Sequence, residues 1–538
     1  MKLIYSIILT VSVVISASAQ QRLSTPQLTV KEPTFTRMSD AKVSWTTVEG
    51  ADSYCVRLDG EEIDVVGNTL YLAGKVGTHT VEVIAKSSGD LEQSLPAVAT
   101  VNVRDYGEGT VRSPYLIYDK NDWNLFAQAV TKNQFGNNSF QGEVVALAAN
   151  IDFGGDTITP VGKNHATGFR GVFDGRGRTF KNAVLEGNGS LGIFISFHGV
   201  MKNFKADNIS VRSTVAKALE GRCAVICGGE ATGQFFNCMV TNSSICVAGE
   251  GEVGALAGAV ISVLNSPDAL VERCISMNNK VTVGNAYASS LVARVNAGTV
   301  HNCIAQNNEI YAGVRSASGI TALVCGPHSV VDHCLSTANM ITSMKSEAAG
   351  VAAEISAGVV VNCTSDNNVI TVENGHSAGG VAGMVRKQGN LINCLSKNCT
   401  LNVRKTKEPY AGLIFAKADR GLSGSIENCL VLSGSVNVLS DACGFIGIIG
   451  GHLANQYICS DCFYNERLVT EFNKTQSGRF YAFGGFGSGG TNYDSALPIK
   501  KAAFESLLYD YLNAGVSRQA AFGAAEWIRG ADGYPSIK

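Results

Sequence analysis

The run GGVAGMVRKQGNLINC, residues 379–394, contains the features that recur through most of the chain. It opens on small residues and closes on the pair Asn393-Cys394. The closing cysteine recurs at separations of 36, 29, 31, 29, 31 and 35 residues, in Cys238, Cys274, Cys303, Cys334, Cys363, Cys394 and Cys429. A period of this length indicates a repeat architecture.

Columns of like residues appear when the chain is aligned on these cysteines. Apolar residues stand three positions before and seven positions after each one, as Leu391 and Leu401 do around Cys394. The residue before the cysteine is Asn237, Arg273, Asn302, His333, Asn362, Asn393 or Asn428. The residue four positions after it is Asn242, Asn278, Asn307, Ala338, Asn367, Asn398 or Ser433. In an earlier unit Phe204 takes the cysteine's place. Short β-branched runs between glycine and asparagine corners favour strands.

A unit of this size cannot bury its own apolar face and becomes stable only by stacking on copies of itself. We therefore predict an all-β fold dominated by a right-handed parallel β-helix over residues 150–464, with about ten coils spaced about 4.8 Å apart. The apolar columns fill its interior. Asparagine at the corners accepts left-handed backbone and can link coils through its side-chain amide.

The register cysteines are expected to point inward as a ladder of reduced, unreactive thiols. Parallel neighbours in one column align their Cβ vectors, which suits packing better than bridging. Cys223 with Cys227, or Cys459 with Cys462, are better placed for a disulfide. Cys459-x-x-Cys462 lacks the second pair that a zinc site needs, so a disulfide or two inert core thiols are the alternatives.

Length and composition indicate how the rest of the chain is divided into domains and which partners are excluded. With 538 residues, two or three domains are expected. We predict an N-terminal β-sandwich over 20–104, a cap over 105–149 with a helix at 121–130, and a C-terminal capping region over 465–538 with a helix at 500–512. The 43 basic and 45 acidic residues give a net charge of −2, which argues against a nucleic-acid partner.

The first nineteen residues are predicted to be an export signal. Lys2 precedes an apolar run from residue 3 to 15, and Ala17-Ser18-Ala19 fits a cleavage site. The run is too short to span a bilayer, and no lipid-anchor cysteine follows it. A secreted or cell-surface protein is expected.

Two stretches in the predicted sandwich, VSWTTVEGADSYCVRLDG (43–60) and GTHTVEVIAKSSG (77–89), resemble fibronectin type III domains of the immunoglobulin-like class. Trp45 and Tyr54 hold the places of that family's core aromatics. Val81 stands where a tyrosine is usual. The resemblance implies a spacer or adhesion unit.

The segment GVFDGRGRTF (171–180), the later GG(L/V)AG…(I/V)xNC pattern and the terminal Trp527…Asp532-Gly533-Tyr534-Pro535 resemble exported bacterial β-helix proteins with GLUG repeats. Many coils depart from that pattern, with Ser289-Ser290 or Ala349-Gly350 where two glycines are usual. The resemblance implies a function at the cell surface, often adhesion, in bacteria such as gut Bacteroidetes. It implies no reaction and no cofactor.

Pectin-type lyases and polygalacturonases are also parallel β-helices, so a catalytic function is an alternative. Such enzymes need clustered acidic residues with Arg or Lys on one face. One column fits in part: Glu272, His301 and Asp332 stand two positions before consecutive cysteines, so they are expected to stack outward. This row could bind a metal or move a proton, or it could be a solvated charge ladder. No metal site is predicted with it.

The glycine-rich segment FYAFGGFGSGG, residues 480–490, is interpreted as a loop. Its aromatic residues Tyr481, Phe483 and Phe486 could stack on sugar faces, or the loop could close the last coil. The function expected is non-catalytic adhesion or binding of a polysaccharide, host glycan or surface protein. The alternative is a polysaccharide lyase or glycoside hydrolase acting in a groove.

Overall fold

The computed structural model describes residues 21–38, 40–134, 136, 138–214, 221–248, 255–404, 409–419, 424–439, 445–454, 457–465, 467–468, 481–486, 496–499 and 508–538. The expected export signal lies outside these residues. The chain divides into two compact units between Tyr106 and Gly107. Among the described residues, no helix is long and apolar enough to cross a lipid bilayer.

The N-terminal unit consists of two small antiparallel sheets around one core. The first contains Leu28–Lys31, Lys42–Trp45 and Thr69–Tyr71. The second contains Glu61–Ile63, Ser53–Leu58, Gly77–Lys86 and Ala97–Val103. Val43 and Trp45 from the first sheet pack with Val56, Val81 and Val83 from the second. Alternation of buried and exposed positions along these strands places one face of each sheet in the core.

The second unit is the predicted parallel β-helix. Each coil contributes strands to three sheets, here named A, B and C, and all pairing between coils is parallel. Sheet A has twelve described strands: Ile151–Asp152, Thr179–Lys181, Lys205–Asp207, Met239–Thr241, Ile275–Met277, Ile304–Gln306, Leu335–Thr337, Thr364–Asp366, Leu395–Lys397, Leu430–Val431, Cys462–Asn465 and Ala496–Ile499. Sheet B has nine: Val184–Gly187, Ser210–Ser213, Ser244–Val247, Lys280–Val283, Glu309–Ala312, Met340–Ser343, Val369–Val372, Cys399–Arg404 and Gly434–Leu439.

Sheet C precedes the cysteine in each coil and is divided into three segments. The first contains Arg222–Cys223, Ala255–Gly258, Ala286–Ser289, Ala317–Ser318, Ala348–Ala349, Ser377–Gly379 and Tyr410–Gly412. The second contains Phe194–Phe197, Cys227–Ala231, Thr321–Val324, Ala352–Ile355, Ala382–Val385 and Phe415–Ala418. The third contains Tyr115–Ile117, Val144–Leu147, Val172–Asp174, Val200–Lys202, Gln234–Phe236, Ser329–Asp332, Val359–Val361, Asn390–Ile392, Ser425–Glu427 and Ile458–Ser460. Long strands join neighbouring segments in Ile261–Glu272, Val292–His301 and Phe445–Leu453.

Parallel pairing extends beyond the predicted range of 150–464 at both ends. Val144–Leu147 already pairs with Val172–Asp174, and Ala496–Ile499 pairs with Cys462–Asn465. The predicted loop at 480–490 is wrong over its described part, because Tyr481–Phe486 forms a parallel strand on Phe445–Leu453. The last coil would otherwise leave an unpaired strand edge, which this segment covers with backbone hydrogen bonds. Tyr481, Phe483 and Phe486 therefore belong to sheet C.

The asparagine corners adopt the predicted left-handed backbone. Residues before the cysteine have φ between 50° and 56°, as in Asn237, Arg273, Asn302, His333, Asn362, Asn393 and Asn428. Residues four positions after it behave alike, including Asn242, Asn278, Asn307, Ala338, Asn367 and Asn398. Side-chain amides link coils as expected: Nδ2 of Asn393 donates to Oδ1 of Asn362 at 2.7 Å. Two left-handed residues per coil give sheet A a sharp turn at each end.

The interior changes character along the solenoid. Its first coils are filled by phenylalanines, including Phe169, Phe173, Phe180, Phe194 and Phe204. The cysteine column then points inward, and all seven register cysteines are at most 1% exposed. Burial raises the pKa of the Cys303 and Cys363 thiols. Fifteen cysteines are described, and each is unbridged.

The Cys459-x-x-Cys462 spacing is explained by the repeat. Cys462 continues the cysteine column, because the neighbouring pairs Leu430–Phe463 and Val431–Tyr464 set its register opposite Cys429. Cys459 pairs with Ile426 in the apolar column three positions earlier. Their sulfur atoms lie 3.9 Å apart, too far for a disulfide. The two cysteines of the motif therefore belong to two different columns of core residues.

The N-terminal helix closes the first coils as predicted. It spans Lys120–Thr131, one residue longer at each end than expected, and its cap is Asp119 rather than Asn121. Trp123 and Phe126 are fully buried. Trp123 makes edge contacts with Phe180 and Phe173 at ring separations of 4.8 and 6.0 Å. This aromatic plug covers the open end of the core.

The described part of the C-terminal segment, residues 508–538, covers a side of the solenoid, and most of the predicted capping region before it lies outside the described residues. Its helix, Leu508–Arg518, includes the described end of the predicted 500–512 helix; residues 500–507 lie outside the described part. A 3₁₀ turn at Ala520–Phe522 and an antiparallel pair, Trp527–Arg529 with Pro535–Ile537, follow. Leu508, Leu512 and Trp527 pack on outward residues of successive sheet A strands, Leu395, Leu430 and Phe463. These apolar outward residues require a cover, which the segment provides.

Candidate functional site

The predicted row of Glu272, His301 and Asp332 stacks on three consecutive coils of sheet C. His301 Nδ1 lies 3.0 Å from Asp332 Oδ2. Glu272 is held instead by Arg273, at 3.2 Å. His333, assigned to the corner column, joins the group with its Nδ1 2.6 Å from Asp332 Oδ1. The structure thus assembles a histidine–aspartate–histidine cluster.

Hydrogen bonds and neighbouring charges shift the pKa values of Asp332 and His333. Burial acts to raise the pKa of Asp332, but hydrogen bonds from His333 and Asn362 and the nearby imidazoles leave it below its ordinary value. The hydrogen bond to Asp332 raises the pKa of His333. Asn362 Nδ2 donates to Asp332 Oδ1 at 2.7 Å.

A second arrangement, missed by the sequence analysis, lies where the first two segments of sheet C meet. Outward side chains of the two segments touch: Leu256 packs with Val263 and Tyr287, and the Tyr410 ring lies 5.8 Å from that of His452. Outward side chains on both sides of a bend meet only where the bend is concave. We name this surface the lateral groove.

Two buried glutamates lie in the lateral groove on one coil. Glu354 is 6% exposed and accepts a hydrogen bond from Arg386 Nε at 2.8 Å. Glu347 is 8% exposed and accepts from Ser316 Oγ at 2.7 Å. Burial raises the pKa of Glu354, Arg386 opposes the rise, and the Glu347 charge adds to it. A carboxyl group with a raised pKa is better suited to general-acid catalysis than an ordinary one.

Aromatic and cationic side chains continue along the groove. Tyr287 lies under the Arg315 guanidinium, 5.8 Å from the ring centroid. Tyr410 stacks on Phe445 with an interplanar angle of 9°, and Lys417 Nζ lies 4.8 Å from its centroid. Rings with neighbouring hydrogen-bond donors provide the surface that sugar faces and hydroxyls need.

A basic cavity lies at the N-terminal end of the same groove. Its volume is about 910 Å³. It is lined by Gln128, Thr131, Lys132, Thr159, Pro160, Gly162, Lys163, Asn188, Ser190, Ile195 and Arg222. None of these lining residues is acidic, and Lys132, Lys163 and Arg222 form no ion pair within the described part of the chain. Arg222 pairs with Leu256, and Leu256 pairs with Tyr287. The cavity therefore lies at the start of the column of groove residues that the first segment of sheet C contributes, which we call the first column.

Another histidine pair lies where the 3₁₀ turn His165–Thr167 approaches the end of strand Phe194–Phe197. His198 and His165 rings are 4.1 Å apart. His198 Nδ1 lies 2.7 Å from Thr232 Oγ1, and its Nε2 lies 2.9 Å from Ser196 Oγ. Burial, followed by the charges of His165 and Arg170, lowers the pKa of His198 to about 4. This imidazole is therefore neutral at physiological pH.

The fold and these sites define a parallel β-helix protein with a lateral groove that begins in a basic cavity. No protein-family model matches the chain, and no curated protein matches it. A solved structure from Bacteroides ovatus, described as a candidate immunoglobulin A1 protease, is 16% identical, with 80% of this chain and 94% of that chain covered and a TM-score of 0.33. A family 28 exopolygalacturonase of Yersinia enterocolitica is 9% identical, with 89% and 98% covered and a TM-score of 0.20.

Proposed function

We propose that the basic cavity and the lateral groove bind an acidic polysaccharide. The observation that carries this proposal is the cavity itself, in which Lys132, Lys163 and Arg222 face a space free of lining carboxylates. Within the described part of the chain these three cations have no ion-pair partner, and a cluster of unpaired cations favours an anionic ligand such as a uronate or sulfate group. Along the groove, the half-buried Tyr287 supplies an apolar face, and arginines supply donors.

We propose that this binding serves adhesion outside the cell. An exported chain would present the solenoid to glycans of a cell surface or matrix. The N-terminal unit, with its three-stranded and four-stranded sheets around one core, would serve as a fibronectin type III-like spacer.

Calorimetric titration with acidic and neutral oligosaccharides tests the binding proposal. Hexagalacturonate and a sulfated hexasaccharide should bind, with maltohexaose as the neutral control. The variant Lys132→Ala/Lys163→Ala/Arg222→Ala should lose at least tenfold in affinity, about 1.4 kcal/mol. The matched variant Lys205→Ala/Arg212→Ala/Lys345→Ala removes the same charges from exposed solenoid positions and should bind normally. Equal losses in both variants, or equal binding of the neutral sugar, would refute a specific site.

Glycosidic bond cleavage is a second candidate, favoured by the buried pair Glu347 and Glu354. In hydrolysis, one carboxylic acid protonates the leaving-group oxygen while a second carboxylate activates water or attacks the sugar. Glu354, with its raised pKa, fits the acid. New reducing ends would indicate cleavage; an unsaturated product formed with them would indicate a lyase, and saturated products alone would indicate hydrolysis.

The variants Glu354→Gln and Glu347→Gln separate cleavage from binding. If either glutamate is catalytic, its variant loses turnover but retains the bound oligosaccharide. A wild-type chain that binds acidic oligosaccharides and releases no product from them would exclude cleavage and leave the binding function alone.

A further inference from the structure

We infer that His301, Asp332 and His333 form a binding site for a divalent transition-metal ion such as Zn²⁺. Each offers one ligand atom, and these atoms lie within 4.8 Å of one another. Two ligands each about 2.1 Å from one ion lie at most about 4.2 Å apart, so a small ring rotation closes the set. Two imidazoles and one carboxylate form a donor set that selects Zn²⁺, Fe²⁺, Co²⁺ or Ni²⁺ over Mg²⁺ and Ca²⁺.

The cluster is accessible to an ion and to water. The side chains of His301, His333 and Asp332 are 36%, 28% and 20% exposed. Arg273 holds the neighbouring Glu272 carboxylate. Three protein ligands therefore face solvent, and water completes the coordination, as in metal sites with an open position.

Neighbouring groups orient the carboxylate. Asn362 Nδ2 donates to Asp332 Oδ1 at 2.7 Å. Asn362 is itself fixed by the C-terminal segment, since its Nδ2 donates to Gly523 O at 2.9 Å and its Oδ1 accepts from Ala525 N at 2.8 Å. Such supports are typical of metal-binding carboxylates.

The ligand residues also depart from the repeat in which they lie. Outside this cluster, the column of His301 and Asp332 holds Phe236, Glu272, Val361, Ile392 and Glu427. His333 occupies a left-handed corner, with φ of 50°, that is asparagine in most other coils. Packing of the coil requires none of the three, so their convergence on adjacent coils points to a ligand.

The same comparison supplies a variant that keeps the fold. His301→Val copies Val361, and His333→Asn copies the corner asparagines, so the double variant restores residues that other coils already accommodate. The control, His328→Ala/His376→Ala, removes two exposed histidines elsewhere on the solenoid.

Metal-stripped full-length protein is titrated with Zn²⁺, Co²⁺ and Ni²⁺ by calorimetry, and the Co²⁺ complex is examined by visible absorption. Wild type and the control should each bind one equivalent, raise their Tm and show Co²⁺ d–d bands. The double variant should lose the equivalent, the Tm rise and the bands. Asp332→Asn, which keeps the hydrogen-bonding shape, should weaken binding at least tenfold and serves if the double variant does not fold. Failure of the wild type to bind any of the three ions, or unchanged binding in the double variant and in Asp332→Asn, would overturn the site. Loss of binding in His165→Ala/His198→Ala alone would place the ion elsewhere and would overturn it too.

Discussion

Asparagine occupies three columns of the coil and serves two purposes there. Before and four residues after the cysteine it supplies left-handed backbone. A third column, Asn279, Asn308, Asn339 and Asn368, is buried inside the turn. Each of these side chains accepts a backbone N–H from the preceding coil, as Asn308 Oδ1 does from Asn279 N at 2.9 Å, and donates to a carbonyl oxygen. Buried turns are thereby left with satisfied polar groups.

Replacement of Asn393 should be far more damaging than replacement of Asn302, although both have φ near 53°. Asn393 is fully buried and bonded to Asn362, Asn428, Trp527 and Ala525. Asn393→Ala should lower the free energy of unfolding by about 3 kcal/mol or more, because buried partners lose their bonds. Asn302→Ala, at an exposed corner, should cost about 1 kcal/mol from backbone strain. Urea unfolding of both variants measures the difference, and equal losses would contradict the proposed role of the C-terminal contacts.

Sequence patterns could reveal two of these columns but not the third. The columns one residue before and four residues after the cysteine, such as Asn302 and Asn307, follow from the register of the repeat, and their left-handed conformation follows from residue type. Asn308 follows Asn307 directly, so the two look like one polar corner, and only the folded turn shows that the second side chain points inward.

His198 should make the solenoid sensitive to acid. Its folded-state pKa of about 4 lies below the ordinary 6.5, so the unfolded chain takes up the proton first as the pH falls. Stability present above pH 6.5 is lost between pH 6.5 and 4. After allowance for solvent screening, the loss is about 1–2 kcal/mol.

The variant His198→Gln can still form hydrogen bonds with Thr232 and Ser196. It leaves His165, Arg170 and Glu230 in place, so it separates the contribution of His198 from theirs. Its Tm should fall less than that of the wild type between pH 7.5 and 4.5. Parallel Tm curves for the two proteins would show that His198 does not carry the acid sensitivity.

Among the elements, the C-terminal helix depends on close backbone approach. A Cβ at Gly515 would lie 2.1 Å from Asn428 Oδ1. Gly515→Ala should therefore destabilise the docked segment by about 1–3 kcal/mol, despite alanine's higher helix propensity. Ser517→Ala, on the exposed face, is the control. Limited proteolysis should cleave the first variant faster at its C-terminal segment, and equal cleavage rates would contradict the packing described.

The sequence predicted helices at both ends but not the surface that the C-terminal one covers. Trp123 and Phe126 marked the first helix because its face is strongly apolar. The docking of Leu508 and Leu512 depends on Leu395, Leu430 and Phe463, whose outward direction becomes clear only when strand register is known.

At the scale of the whole molecule, stacking turns single side chains into a continuous surface. Glu347, Glu354 and Tyr287 escaped the sequence analysis because turns of varying length separate them from the cysteine used for alignment. In the folded coils they share the lateral groove. The cysteine register thus predicted the solenoid but could not align the first two segments of sheet C.

The proposed binding path follows this surface from the basic cavity. From Arg222 to Tyr410 the first column extends on the order of 30 Å at the spacing of stacked strands. An oligosaccharide that follows the groove gains contacts with each added sugar. A ligand confined to the cavity gains none beyond the first few.

Calorimetric titration with acidic oligosaccharides of increasing length, from two to ten sugars, tests the groove most directly. We expect the affinity to rise beyond the length that the cavity accommodates. Arg294 pairs with Val263 on the second segment of sheet C and so lies along the groove, and we expect Tyr287→Ala/Arg294→Ala to abolish the rise while short oligosaccharides bind as before. An affinity that is constant from the disaccharide onward, or a rise that persists in the variant, would contradict binding along the groove.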